Sequence, residues 1–344
     1  MSGQEVFITG GAGFIGVNAA DHFLQRGDAV TVYDNLSRRG GRANLEWLFA
    51  THGGERLHVV EADIRDYPRL AAAVVEASPA VVLHLAGQVA VTQSVADPRE
   101  DFEANALGTF NVLEAVRAGA PGAAVLYAST NKVYGGMEHV GIVRAGDRYA
   151  YADYPYGIPE SFPLDFHSPY GCSKGAGDQY MRDYARIYGL RTLVLRQSCI
   201  YGRRQFGVED QGWVAHFVIA TVLGRPIAIY GDGMQVRDVL YVDDLLAAYQ
   251  AGIDRMDDLR GEVLNLGGGP DNTLSVWGEF GPLLEKLAGR PIPVQYGAWR
   301  PGDQRVFVAD IRRAEQLLGW RPQVSPADGV RRLYEWVAAN RELF

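Results

Sequence analysis

Short apolar runs rich in β-branched residues recur along the first half of the chain and just beyond it: Val6 to Thr9, Ala29 to Asp34, Leu57 to Glu61, Val81 to His84, Val125 to Ala128 and Thr192 to Arg196. Between them lie stretches whose apolar positions return at helical spacing, around Phe14 to Gln25, Tyr67 to Ala77 and Asp101 to Ala118. Strand, helix, strand in repetition predicts an α/β fold, a doubly wound parallel sheet with helices on both faces. From about Ile200 the rhythm changes to loops of Gly, Arg, Asp and Pro (YGRRQFG, YGDGMQVRD, WRPGDQR) broken by short elements. This predicts two parts, residues 1–198 as the sheet domain and 199–344 as a smaller substrate-binding lobe, with strands near 238–241 and 263–266 returning to the first sheet.

A further helix is predicted after Pro169, where Tyr180, Met181, Tyr184 and Ile187 recur at helical spacing. It places Tyr170 and Lys174 one turn apart on one face. A phenol titrates near pH ~10 unaided, and a neighbouring ammonium favours its anion, which makes it a usable proton acceptor. A surface pair on an amphipathic helix has the same spacing, so the rest of the chain has to decide between the two.

Directly after the first strand the chain reads GGAGFIG. Gly10, Gly13 and Gly16, with Phe14 and Ile15 opening the helix, suit a tight turn whose backbone amides approach a pyrophosphate at a helix N-terminus. Asp34 closes the second strand, where a carboxylate can bridge the adenosine ribose hydroxyls and repel a 2′-phosphate. Together they predict a Rossmann-type dinucleotide site and favour NAD over NADP. Asn35 and Ser37 follow beside the ribose position, while Arg38 and Arg39 could instead hold a phosphate. Asp63 and Ile64, past the third strand, are placed to meet the adenine, although a solvated loop Asp reads the same way. Leu85, Ala86 and Gly87 close the fourth strand, where the small residues would let backbone pass against a cofactor. Asn105, a weak helix former inside a helical pattern, suits a bracing side-chain role next to that cofactor. Ser129, Thr130 and Asn131 end the fifth strand, on the side where open α/β sheets take ligands.

Composition narrows the partners. The chain has 344 residues, 47% hydrophobic and 22% charged, which is enough for a full core. A formal net charge of −8 argues against a nucleic-acid or membrane-surface binder, so an anionic ligand needs local arginines. Cys172 and Cys199 have neither metal-ligand nor pairing spacing and read as small buried side chains. No apolar run approaches a membrane span and a strand begins within a few residues of Met1, so a cytoplasmic protein is expected.

GGAGFIG, Asp34, LAGQ, Ser129 with Thr130, VYG at 133–135, and Tyr170 with Lys174 together resemble the extended short-chain dehydrogenases/reductases, the nucleotide-sugar epimerase and dehydratase group. DNLSRRG, HLAGQVAVTQS, STNKVYG, LDFHSPYGCSKGAGDQYMRDYARIYGL, DQGWV and QVRDVL narrow the resemblance to the CDP-paratose (CDP-tyvelose) 2-epimerases, with Ala128 where those often carry Ser. The resemblance implies tightly bound NAD and inversion at C2 of a CDP-linked 3,6-dideoxyhexose. It assigns Tyr170 as proton acceptor, Lys174 as the group that lowers its pKa and holds the nicotinamide ribose, and Thr130 as partner of the reacting oxygen. Arg237 and Arg300 fall where the group's pyrophosphate arginines are expected, and Arg305 follows nearby. Gln88, Thr92, Ser94, Asn131, His167, Ser198 and Gln211 are candidates to border the sugar nucleotide; His167 could also act as acid or base, and Trp213 could simply pack the lobe. GDP-mannose or GDP-glucose 2-epimerisation and 4-epimerisation stay open as alternatives. Dehydration does not suit the chain, because Asn131 and Lys132 stand where dehydratases place an acid pair. A non-catalytic NAD-sensing module would be expected to have lost Tyr170 or Lys174. The long helical patterns at 101–118 and 173–187 could pair across a two-fold axis, giving a homodimer or homotetramer.

Overall fold

The computed structural model describes residues 3–299 and 303–344. Strands β1 (Glu5–Thr9), β2 (Ala29–Asp34), β3 (Leu57–Glu61), β4 (Val81–His84), β5 (Ala124–Thr130), β6 (Arg191–Gln197) and β7 (Glu262–Leu266) form one sheet in the order β7-β6-β5-β4-β1-β2-β3. β1 to β5 pair in parallel, with Ile8 opposite Val32 on one side and Leu83 on the other. Their central residues, among them Phe7, Ile8, Val82, Leu83, Val125 and Leu126, are buried, as strands covered on both faces must be. The order reverses between β1 and β4, which opens a crevice at their carboxyl ends. This is the Rossmann-like α/β fold that the strand and helix alternation predicts.

The helix expected over 101–118 is not continuous. An α-helical Pro98–Phe102 passes into a π-helical turn, Glu103–Leu107, before α-helix resumes at Gly108–Gly119. The wide turn holds Asn105, whose Nδ2 donates to Gln88 O at 2.9 Å, Asp101 Oδ1 at 3.1 Å and Ser173 Oγ at 3.2 Å. Such turns often mark functional positions. The long helix Ser168–Tyr188 starts with Pro169 in its first turn and stops at Gly189, whose φ of 70° ends the helix. It lies close on β5: a Cβ on Gly177 would come within 2.5 Å of the Tyr127 hydroxyl.

The chain divides into two compact units, and each is entered three times. The first takes Met1–Val133, Phe166–Arg196 and Leu246–Leu264; the second takes Tyr134–Asp165, Gln197–Leu245 and Asn265–Phe344. A single boundary near residue 198 therefore does not describe the division. The second unit is built on Val236–Tyr241, which pairs antiparallel with Thr273–Ser275 and parallel with Cys199–Tyr201 and Val306–Phe307. The strand expected near 238–241 to rejoin the first sheet thus belongs to a different one. Its own edges are already taken up, by Thr273–Ser275 and Val306–Phe307 near its start and by Cys199–Tyr201 along 239–241. Trp213, Phe217, Trp277 and Phe280 pack together in this unit, and its last helix, Pro326–Ala339, buries Leu333 and Val337. Among the described residues no helix is long and apolar enough to cross a membrane.

Candidate active site

The glycine turn is held by backbone contact and by Asp34. Gly10 has φ 71°, and a Cβ there would lie 2.7 Å from Ala86 N, so the ends of β1 and β4 touch through it. A Cβ on Gly16 would lie 2.2 Å from Gly10 O. The helix Phe14–Gln25 begins at Gly13 with no side-chain cap and no acid in its first turn, which leaves its first amides open to an anion. Asp34 accepts from Ala12 N at 3.0 Å and Leu36 N at 2.8 Å, so its carboxylate fixes the turn. Burial pushes its pKa up, while Arg38 and the backbone amides oppose that shift. Asn35 and Ser37 hold each other through Ser37 N and Asn35 Oδ1 at 3.1 Å. Asp63 is tied to Arg65 and to Asn35, and the Arg65 hydrogen bonds lower its pKa to about 2. Ile64 points into the core cluster with Tyr33 and Leu70. These two contacts place both side chains in bracing roles.

Tyr170 and Lys174 are both buried one turn apart on the long helix, and Thr130, also buried, ends β5. The Thr130 side chain is the neighbour that favours the Tyr170 anion. Lys174 Nζ stands over the Tyr127 ring, 4.2 Å from its centroid. The charge balance differs from the expected one: dehydration pushes Tyr170 up to about 12, with the Thr130 hydrogen bond opposing it, and Lys174 is not among the groups that shift it. Lys174 itself is lowered to about 7 by dehydration, against the pull of Asp101 and Asp178. Burial thus outweighs the phenol–ammonium pairing in setting the resting state, and the pair sits in a dry site that magnifies any added charge.

A polar network underlies the pair. Asp101 Oδ2 accepts from Ser173 Oγ at 2.5 Å, and Asp101 Oδ1 accepts from Gln88 Nε2 at 2.9 Å. Gln88 also binds both backbone groups of Ala90, and Ser94 Oγ donates to Val91 O at 2.7 Å. Both were candidates for the sugar pocket, but their polar atoms are spent on holding the loop after β4. Thr92 is exposed. Asn105 Oδ1 is buried with no partner and lies 2.5 Å from where a Cβ on Gly87 would stand. That orphaned acceptor, the uncapped helix start and the close backbone at Gly10 fit a nucleotide cofactor along the crevice. His84 bridges Thr9 and Thr109 at 2.7 and 2.9 Å, and burial lowers it to about 3, so it is neutral. His167 is the exposed residue before the long helix, with no side-chain capping bond. Asn131 Oδ1 accepts from Thr130 Oγ1 at 3.3 Å, while Lys132 N donates to the same hydroxyl at 3.2 Å. Cys172, read as buried, is exposed on the long helix, and Cys199 is partly buried against Trp213.

In the second unit Arg237 donates to Asp303 Oδ1 at 2.8 Å, so its guanidinium is oriented by a partner. Arg305 lies over the Tyr149 and Trp299 rings, 5.3 and 5.5 Å from their centroids. Ser198 Oγ donates to the buried Asp238, and Gln211 joins a tight turn with Val208 through backbone bonds. Arg300 falls outside the described residues.

Residues 7–333 match the family described as GDP-mannose 4,6 dehydratase. The chain belongs to this family. It is 44% identical over 341 residues to the CDP-paratose 2-epimerase of Salmonella typhi, spanning 98% of this chain and 100% of that one. Among solved structures, the UDP-glucose 4-epimerase of Thermotoga maritima with UDP-glucose is similar at a TM-score of 0.83 and 30% identity, covering 98% of this chain and 99% of that one. The dTDP-glucose 4,6-dehydratase of Streptomyces venezuelae, with NAD bound, is similar at a TM-score of 0.83 and 31% identity, covering 99% and 98%. These similar proteins include both epimerases and a dehydratase, in keeping with the resemblance carried by the glycine turn, Tyr170 and Lys174.

Within that scaffold, the residues that sequence reasoning missed are the buried supports: Asp101, Tyr127, Asp178 and Arg196. Asp178 could have been suspected, since it follows Lys174 by one turn on the same helix face. Asp101 gave no such signal, because an acid near a helix start is ordinary.

Proposed function

We propose that this chain is an NAD-dependent isomerase that inverts C2 of CDP-paratose to give CDP-tyvelose. The observation that carries the sugar is the full-length identity to the Salmonella typhi enzyme. Bound NAD supplies a hydride acceptor at C2 that gives the hydride back later in the same turnover. Tyr170 takes the proton of the C2 hydroxyl as the C2–H bond breaks, leaving a 2-keto sugar, and returns it when the opposite face is reduced. Thr130, the side chain that favours the Tyr170 anion, shares the reacting oxygen with it. Lys174, over Tyr127, holds positive charge near the phenol and would hold the nicotinamide ribose of a bound cofactor. Asn131 and Lys132 offer no acid pair for moving water, which favours epimerisation over dehydration. No net oxidation occurs, so the cofactor has no need to leave, and a tightly held NAD follows.

Inversion requires that the keto sugar turn over while the nucleotide stays fixed. Arg237 and Arg305 suit the second task, since a planar guanidinium meets pyrophosphate oxygens bidentately, and Asp303 already orients Arg237. We also propose a homodimer. Phe102, Leu107 and Phe110 on one helical stretch and Tyr180, Ile187 and Tyr188 on the other are large apolar side chains left exposed. The purified protein, given CDP-paratose and no added cofactor, should form CDP-tyvelose, observed by NMR of the C2 proton. Failure to epimerise CDP-paratose, GDP-mannose and GDP-glucose alike would overturn the assignment.

A further inference from the structure

Lys174 lies where water is excluded, and a cation in such a place needs an anion. The elements packed around it carry few charges. His84, stacked on Tyr127, is neutral. Tyr170 is a protonated phenol. Asp178, one turn further along the helix, accepts from Arg196 Nε at 2.9 Å and from its terminal nitrogen at 3.0 Å, so that carboxylate already has its cation. Asp101 differs. The residue is 1% exposed, and its carboxylate accepts from Ser173, Gln88 and Asn105 but makes no direct salt bridge with any described residue, Lys174 included; burial raises its pKa, and these three hydrogen bonds together with the Lys174 charge oppose that shift. Ser173 directly precedes Lys174. Asn105 Oδ1 and Lys174 Nζ converge on Gly87, lying 2.5 and 3.9 Å from the place of a Cβ there.

We propose that Asp101 is the counter-ion of Lys174 and thereby a positioning residue for the site. Its carboxylate, clamped by Ser173, Asn105 and Gln88, keeps the Lys174 side chain an ammonium in the dry interior and anchors the helix that carries Tyr170. The proposal rests on the roles given above to Tyr170 and Lys174. Attraction to Asp101 is the foremost force opposing the dehydration of Lys174, ahead of Asp178.

The sequence makes this directly measurable, because it contains three lysines, Lys132, Lys174 and Lys286. With 13C-labelled lysine, the Cε signal absent from Lys174→Met reports the Lys174 titration in the protein as purified. Asp101→Asn, which keeps the shape and most hydrogen bonds, should lower that midpoint by about one pH unit, a tenfold loss of proton affinity. Should Asp101→Asn alone not fold, thermal melts keep the question open to test: Lys174→Met strands the carboxylate, and adding Asp101→Asn should raise the melting temperature above that of Lys174→Met. An unchanged midpoint, or a double variant no more stable than Lys174→Met, overturns the proposal. Neither measurement involves a sugar nucleotide, so its failure is separate from a failure of the epimerisation assay.

Discussion

Arg196 on β6 and Asp178 on the long helix form a two-pronged ion pair whose side chains are 2% and 0% exposed, with Ser129 Oγ donating to the same carboxylate at 2.9 Å. The pair ties the helix bearing Tyr170 and Lys174 to the sheet that carries Thr130. Arg196→Met should therefore destabilise the protein by about 3–5 kcal/mol, because it leaves a buried carboxylate uncompensated. Chemical denaturation checks this, and Asp178→Leu added to Arg196→Met should recover most of the loss. Equal stability of the single and double variants would show that the charge is not what the pair contributes.

Tyr170→Phe removes one hydroxyl from a site whose packing is otherwise unchanged. Turnover should fall by about 10²–10⁴-fold, the usual worth of a positioned proton acceptor. NAD should stay with the protein, because the glycine turn and Asp34 are untouched. Nucleotide released on denaturation and the initial rate of CDP-tyvelose formation separate the two effects. A variant that loses NAD along with activity would mean that Tyr170 holds the cofactor first.

Local pattern fixed the first half of the fold well. The predicted bounds of β2, β3 and β4 and of the helices Phe14–Gln25 and Tyr67–Ala77 match the structure, since each is set by apolar periodicity and nearby Gly, Asp or Pro. Tyr170, Lys174 and the glycines were legible for the same reason: each lies within a short, self-contained motif. What remained hidden depends on distance along the chain. Asp178 and Arg196 meet across a helix-to-strand return, and Asp101 acts on a helix that begins far beyond it in sequence. The membership of Val236–Tyr241 was not legible because an apolar run shows that a strand exists, whereas its sheet is set by partners far from it in sequence, at 199–201, 273–275 and 306–307. The balance of pKa values at Tyr170 was also out of reach, since spacing reveals a neighbour but not the depth of burial.

Gly16→Ala tests the cradle. A methyl group there would stand 2.2 Å from Gly10 O, which is backbone and cannot swing aside. The turn must open, so the first-turn amides lose their approach to a pyrophosphate. Overpacking of this kind costs about 1–3 kcal/mol. The variant should be less stable by that order in denaturation and should carry much less nucleotide when purified. Full NAD occupancy would place the cofactor's phosphates elsewhere.

The second unit has its own pH dependence, centred on Asp238. This carboxyl is fully buried and accepts from Ser198 Oγ and, at 3.3 Å each, from Gly269 N and Ala309 N, yet dehydration still raises it from 3.8 to about 6. Unfolded, it ionises near its ordinary value; folded, it keeps its proton until about pH 6. Between those limits the folded state binds more protons, so this group's contribution to stability falls as pH rises. Roughly two pH units at 1.36 kcal/mol each give about 3 kcal/mol lost across the window. Asp238→Asn can donate to Ser198 and accept from the two amides, and it does not titrate. Its stability relative to the native protein should therefore improve by about 2–3 kcal/mol between acid and neutral pH, as read by denaturant unfolding at several pH values. A difference that stays constant with pH would mean that Asp238 is ionised throughout, its charge met by the three donors alone.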